Sequence, residues 1–362
     1  MGANHTICAI RVHRLDVPLT EPFVISLETI TAAQNVLIEI QTNSGFIGRG
    51  ECCPYRSIAG ETQDTCIVVA SLLAKNLEGR QALEIENNLS AIHQAIWGNY
   101  AIKSAFDIAL YDLAAQIAGM PLYAFLGGAN DKSLVTDMTV GLDSPENMAR
   151  EARRFVDKGF HAIKVKLGTN FHDDVHRIAL IREAVGNNGI KLRVDANQGW
   201  DVLTAVRTLQ AIAPFGIDFC EQPVSRRDDD ALSAVRRQSP VPIMADEALG
   251  DHFDALRLVK SQACDLFNIK LAKSGGIRNA LHICSIATAA GIPCQIGCFS
   301  ESRLGMTAFA HFALARKNIV HYDLDCALML ADDPVEGGAQ YGLNGAISVP
   351  DSPGLGITNV YL

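Results

Sequence analysis

From about residue 134 the chain alternates short apolar, β-branched runs with amphipathic stretches, and this alternation constrains the fold more than any other feature. Strands are expected at 134–140, 161–167, 190–195, 217–221, 241–246, 265–270, 292–297 and 319–323, with helical periodicity at 145–158, 173–185, 201–213 and 275–290. Eight strands joined through helices point to a closed parallel barrel. An open doubly wound sheet is the competing arrangement. It calls for a glycine-rich phosphate turn after an early strand, and none follows 134–140 or 161–167.

The preceding segment reads differently. Residues 7–17 and 35–41 have strand character, Asn43-Ser44-Gly45 is a turn signal, and 62–76, 81–96 and 100–118 repeat apolar positions at helical spacing. Strands followed by helices make an α+β unit. After residue 325 the chain is rich in Gly, Pro and Asp, and a strand-like segment at 345–349 is expected to pack back on the first unit. The expected organisation is therefore α/β: a TIM-like (β/α)7β barrel at 131–325 holding the active site, an α+β capping domain at 1–130, and a C-terminal return to that cap at 326–362.

Charge and cysteine usage narrow the function. A net charge of −9 disfavours nucleic acid and anionic membrane as partners, since both would be repelled. No run approaches the roughly 20 apolar residues of a membrane helix. His5, Arg11, His13 and Arg14 interrupt every apolar stretch near the N-terminus, so no signal peptide is read there and a cytoplasmic location is expected. The ten cysteines show no metal-finger spacing, and Cys220, Cys264 and Cys284 lie in apolar runs as small core residues.

Barrel strands aim side chains into the active site at their C-terminal ends. These ends offer Lys164-Val165-Lys166, Asp195-Ala196-Asn197, Glu221-Gln222-Pro223, Asp246-Glu247, Lys270 and Asp323-Leu324-Asp325. Asp195, Glu221 and Asp246 come from three consecutive βα units. Brought together they would repel, and a hard divalent cation such as Mg²⁺ resolves that repulsion. Any one of them could instead cap a helix or pair with a lysine, but three acids at one strand level favour the metal. Lys164 and Lys166 share a strand face, and Lys270 lies four strands on. A lysine beside a metal and a second lysine is expected to have a lowered pKa, suiting it to take a proton from the carbon next to a carboxylate. The plainer role is a salt-bridge partner to those acids.

This set of motifs resembles the enolase superfamily, in its muconate-lactonizing subgroup, along the whole chain. The resemblance implies Asp195, Glu221 and Asp246 as Mg²⁺ ligands and Lys166 and Lys270 as opposed acid/base catalysts, with Lys164 near the substrate carboxylate. His321-Tyr322-Asp323-Leu324-Asp325 looks like the Asp-x-Asp of dipeptide epimerases, whose acids receive the substrate ammonium group. Thr139 and Cys298 match substrate-contacting positions. The activity implied is epimerisation of a dipeptide at the α-carbon of its C-terminal residue, by two-base proton transfer through an enediolate. The alternatives are an N-acylamino acid racemase or a muconate- or succinylbenzoate-type cycloisomerase or dehydratase. A homo-oligomer is implied by the resemblance alone.

One position departs from the epimerases that act on Ala-Glu. After Pro22-Phe23-Val24-Ile25-Ser26-Leu27, the place of their arginine is taken by Glu28. An acid there is expected to repel an acidic substrate side chain, whereas Arg56 on a second loop could reverse the effect.

Overall fold

The computed structural model describes residues 4–187 and 189–362. β1 (Ile7–Val24) and β2 (Thr29–Thr42) form a long antiparallel hairpin, and β3 (Ile47–Cys52) joins β2 through the Asn43-Ser44-Gly45 turn. β1 runs further than its alternation indicated. After an irregularity between Pro18 and Phe23, pairing resumes at Phe23 with Ile30 and Val24 with Thr29.

Three helices pack behind this sheet: α1 (Gln63–Leu77), α2 (Ile85–Ala95) and α3 (Tyr100–Ile117). α3 is buried from Ala101 to Ala115 and lies almost in backbone contact with β3. A Cβ on Gly50 would stand 2.0 Å from the Ala105 carbonyl oxygen, so glycine alone permits that approach. The short α4 (Leu122–Phe125) leads out of the cap.

The expected strand at 134–140 divides. β4 (Leu134–Val135) leaves the barrel to pair with the C-terminal tail, while β5 (Met138–Val140) enters it. The backbone donor of Thr136 is taken by the Gly345 carbonyl at 2.9 Å, which turns the chain between the two halves. The barrel continues through α5 (Pro145–Asp157), β6 (Ala162–Lys166), α6 (Phe171–Val185), β7 (Lys191–Asp195), α7 (Val202–Ile212) and β8 (Ile217–Glu221). It goes on through α8 (Asp229–Gln238), β9 (Ile243–Ala245), α9 (His252–Ser261), β10 (Leu266–Ile269), α10 (Leu271–Ser274) and α11 (Ile277–Ala290). β11 (Cys294–Gly297), α12 (Arg303–Ala315) and β12 (Ile319–Asp323) complete a (β/α)7β barrel.

Strands β5 to β12 lie side by side in chain order, each parallel to the next. β5 and β12 come together through Asp137 N–H donating to the Tyr322 carbonyl at 3.2 Å and Leu324 N–H donating to Thr136 Oγ1 at 2.8 Å. Side-chain oxygens of Ser144, Asn170, Asp201, Asp228, Asp251 and Ser302 accept from first-turn N–H groups, which fixes where the barrel helices begin. The expected helix at 275–290 starts at Ile277, because Gly275 and Gly276 both have positive φ and separate α10 from α11.

In the tail, β13 (Val335–Gly337) pairs with β16 (Ile357–Val360), and β14 (Gln340–Tyr341) with β15 (Ala346–Ser348). The segment expected to return to the cap is β15, and it pairs with β4 at the N-terminal end of the barrel instead. Other parts of the tail reach the cap: Ala331 N–H bonds the Pro18 carbonyl at 2.8 Å and Leu355 N–H bonds Asp112 Oδ1 at 2.7 Å. Among the described residues no helix is long and apolar enough to cross a membrane.

Candidate active site

Parallel register sets the acids at one height. Lys166 is the Cα partner of Asp195, and Asp195 is the partner of Glu221. Asp246 follows β9 by one residue. One carboxylate oxygen from each of Asp195, Glu221 and Asp246 lies within 4.8 Å of the others, and all three side chains are fully buried. Glu221 Oε1 accepts from Asn268 Nδ2 at 2.7 Å, while its Oε2 has no hydrogen-bond partner among the described residues. Burial, then the charges of Asp195 and Asp246, push the Glu221 carboxyl well above its usual range. An orphaned buried oxygen in an all-carboxylate cluster suits a hard divalent cation, and Mg²⁺ fits the donor set.

The lysines stand around these acids. Lys166 Nζ donates to Asp195 Oδ2 at 2.6 Å and Lys270 Nζ to Asp246 Oδ2 at 2.9 Å. Burial would raise the Asp246 carboxyl, but Lys270 and then Lys273 hold it well below the usual range. Lys273 was not singled out from the sequence. From α10 it donates to both the side chain and the carbonyl of Asp246, and to the Asn268 carbonyl at 3.2 Å. Its signal was the spacing Lys270–Lys273, one helical turn after a strand end.

Direct ion pairing with the acids works against the lowered lysine pKa expected beside a bound cation. Burial pulls Lys164 and Lys270 down, but nearby carboxylates prevail: Asp323 for Lys164, Asp246 for Lys270, and Glu221 for both. Both ammonium groups are held well above their ordinary range, because each is the direct counter-charge of a buried acid. Lys270 Nζ also lies 4.7 Å from the centroid of the Phe299 ring, which stacks on Tyr55 of the cap at 4.9 Å.

At the end of β12 the two acids differ. Lys164 Nζ donates to Asp323 Oδ2 at 2.5 Å. Asp325 Oδ2 accepts from Thr139 N–H at 2.7 Å, and Cys298 Sγ lies 3.8 Å from its Oδ1. Burial would raise both carboxyls. Lys164 and Lys270 bring Asp323 below its usual range, whereas Asp325 stays raised by burial and by Asp323 beside it. Of these two, Asp325 is the acid better served by an added cation.

Thr139, Lys164, Lys166, Lys270, Asp323 and Asp325 open together into one cavity, which Cys298 also lines. Its apolar wall carried no signal in the sequence. Phe23, Ile25 and Ile30 come from the β1–β2 turn region, Tyr55 and Ile58 from the loop after β3, and Met329 from beyond β12.

Glu28 and Arg56 meet each other. Arg56 Nε donates to Glu28 Oε2 at 3.1 Å and Ser57 Oγ donates to Glu28 Oε1 at 2.6 Å. The two charges proposed to act on a substrate neutralise each other, and both line an adjacent recess outside this cavity.

Residues 9–127 match the mandelate racemase / muconate lactonizing enzyme N-terminal domain, and residues 147–359 match the Enolase C-terminal domain-like family. Fold and site define a capped barrel enzyme, and the chain belongs to the mandelate racemase / muconate lactonizing family of the enolase superfamily. Within it the chain is similar to dipeptide epimerases. The D-Ala-D/L-Ala epimerase of Cytophaga hutchinsonii is 51% identical, over 97% of this chain and 95% of its own length. The hydrophobic dipeptide epimerase of Enterococcus faecalis is 42% identical over 97% and 99%, and the L-Ala-D/L-Glu epimerase of Bacillus subtilis 40% over 98% and 98%. The C. hutchinsonii dipeptide epimerase complexed with Mg and D-Ala-L-Val superposes with a TM-score of 0.96, covering 98% of this chain and 96% of that one. The E. faecalis dipeptide epimerase complexed with Mg and L-Leu-L-Tyr gives 0.94, covering 98% and 99%.

Proposed function

We propose that this chain is a Mg²⁺-dependent dipeptide epimerase that inverts the α-carbon of the C-terminal residue, with a preference for small or apolar side chains. The observation that carries the reading is that Lys166, Lys270 and the Asp323/Asp325 pair open into one cavity beside the buried acid triad.

Asp195, Glu221 and Asp246 would hold the cation, which would supply positive charge against that developing on the substrate carboxylate as the α-proton leaves. Lys166 and Lys270 face the α-carbon from opposite sides. One accepts its proton at Nζ, and the other, as an ammonium, returns a proton to the other face. Asp325, with Asp323 beside it, accepts hydrogen bonds from the dipeptide's ammonium group, and Thr139 orients Asp325 through its backbone N–H. Lys164 keeps Asp323 ionised. Cys298 forms part of the wall around that ammonium. The paired Glu28 and Arg56 act on specificity only by fixing the loops that carry Ile25, Ile30, Tyr55 and Ile58.

The test is ¹H NMR in D₂O with a dipeptide panel. Free L-Ala-L-Val should exchange the α-proton of its C-terminal residue and form its diastereomer, faster than L-Ala-L-Glu. Faster turnover of N-acetyl amino acids would move the reading to an N-acylamino acid racemase. New alkene or lactone signals from a carboxylate substrate, with no dipeptide exchange, would move it to the cycloisomerase or dehydratase class.

A further inference from the structure

We propose that Cys298, Cys326 and Glu301 form a binding site for a soft divalent cation of the zinc class, and that a cation held there excludes the dipeptide. The two cysteines follow the adjacent strands β11 and β12. Their Sγ atoms and one Glu301 oxygen all lie within 4.8 Å of one another. Ligand atoms around tetrahedral zinc stand about 3.4–3.8 Å apart, so modest side-chain adjustment completes the set.

A second observation is that the cluster's carboxylate holds a buried oxygen without a hydrogen-bond partner among the described residues. Glu301 is fully buried, its Oε2 accepts from Phe299 N–H at 2.7 Å, and its Oε1 has no hydrogen-bond partner among the described residues. Cys326 Sγ lies 3.2 Å from the Glu301 carbonyl, 3.5 Å from the Met306 thioether sulfur and 4.0 Å from Glu301 Oε2, and Cys298 Sγ lies 3.8 Å from Asp325 Oδ1. Both line the cavity, so a cation can reach them from the substrate side.

Ligand chemistry divides the labour between the two metal positions. The acid triad offers only hard oxygens and suits Mg²⁺, whereas two thiols select a softer ion. On binding, each thiol releases its proton to solvent and becomes a thiolate ligand. Cys298 also belongs to a second close set with Asp323 and Asp325. A cation at Cys298 therefore crowds and repels an ammonium group at Asp325, which makes it a competitor of the dipeptide and not of Mg²⁺.

Full-chain protein kept reduced and saturated with Mg²⁺ is titrated with CoCl₂ and, separately, with ZnCl₂. Cobalt should produce a near-ultraviolet thiolate charge-transfer band that weakens in Cys326→Ser and disappears in Cys298→Ala/Cys326→Ala. This spectrum needs no turnover, so it holds even if the substrate reading fails. Zinc should inhibit epimerisation competitively with the dipeptide, and Cys326→Ser or Glu301→Gln should each raise its inhibition constant at least about tenfold. Absence of the band in the wild-type protein would overturn the proposal. So would undiminished zinc inhibition in the double variant, which would place the ion at the acid triad.

Discussion

Two groups of buried carboxylates occupy this molecule, and they have opposite surroundings. At the seam between cap and barrel, backbone donors meet the acids. Glu51 of β3 accepts from Ser302 N–H at 2.8 Å, Ser302 Oγ at 2.6 Å, Gly305 N–H at 2.9 Å and Asn35 Nδ2 at 2.7 Å. Asp107 of α3 accepts from Ile277 N–H at 2.6 Å and Arg278 N–H at 3.2 Å. These cap residues hold the first turns of α12 and α11. At the barrel mouth the acids face lysines and one another, and Glu221 Oε2 has no hydrogen-bond partner among the described residues. Burial is common to both groups, so burial does not identify the functional one. What distinguishes a ligand from a rivet is whether the fold has already used its lone pairs.

The sharpest way to break this contrast is to neutralise the mouth. Lys166→Ala or Lys270→Ala should lower epimerisation in both directions by at least about 10²- to 10⁴-fold, because each direction uses both lysines. Each variant should still wash deuterium into the one diastereomer whose proton faces the remaining lysine. Glu221→Gln should abolish activity and the rise in Tm that Mg²⁺ gives the wild-type chain, as should chelation with EDTA. Without metal, Glu221→Gln should melt no lower than wild type, since it removes a buried acid that Asp195 and Asp246 repel. A lower melting point there would mean that Glu221 is structural like the seam acids.

The seam should respond in the reverse sense. Glu51→Ala leaves Ser302 N–H and Gly305 N–H without their acceptor, at a cost of about 1–3 kcal/mol for each unsatisfied group. Denaturant titration should show this loss with the Mg²⁺-dependent rise in Tm preserved. Loss of metal binding in that variant would join the two regions into one functional unit.

The smallest effect concerns pH. Burial, partly offset by its backbone donors, raises the Asp107 carboxyl from 3.8 to about 7. The folded chain therefore holds this proton more tightly than the unfolded one. The associated stability is complete below about pH 4 and is lost as pH rises through about 7. Asp107→Asn should flatten the decline in Tm across that window. An unchanged slope would assign the decline to other buried acids.

Much of this site was legible because a barrel strand carries its register in its own sequence. The βα spacing placed Asp195, Glu221 and Asp246 at one level, and alternation put Lys164 and Lys166 on one face. Where the chain departed from that reading, long-range pairing was the cause. The run at 134–140 is one strand by composition, but the tail captures its first half.

The sequence by itself determined the barrel, the acid triad and the lysines around it, since these follow from local periodicity and strand polarity. The tertiary structure alone decided which charges are spent on each other. Glu28 meets Arg56 across two loops, Lys164 meets Asp323 across the barrel closure, and Cys298 meets Cys326 from neighbouring strands. The apolar wall is likewise assembled from turns far apart in the chain. A local pattern sets which way a side chain points, whereas the free energy of its charge depends on what the rest of the fold brings within a few ångströms.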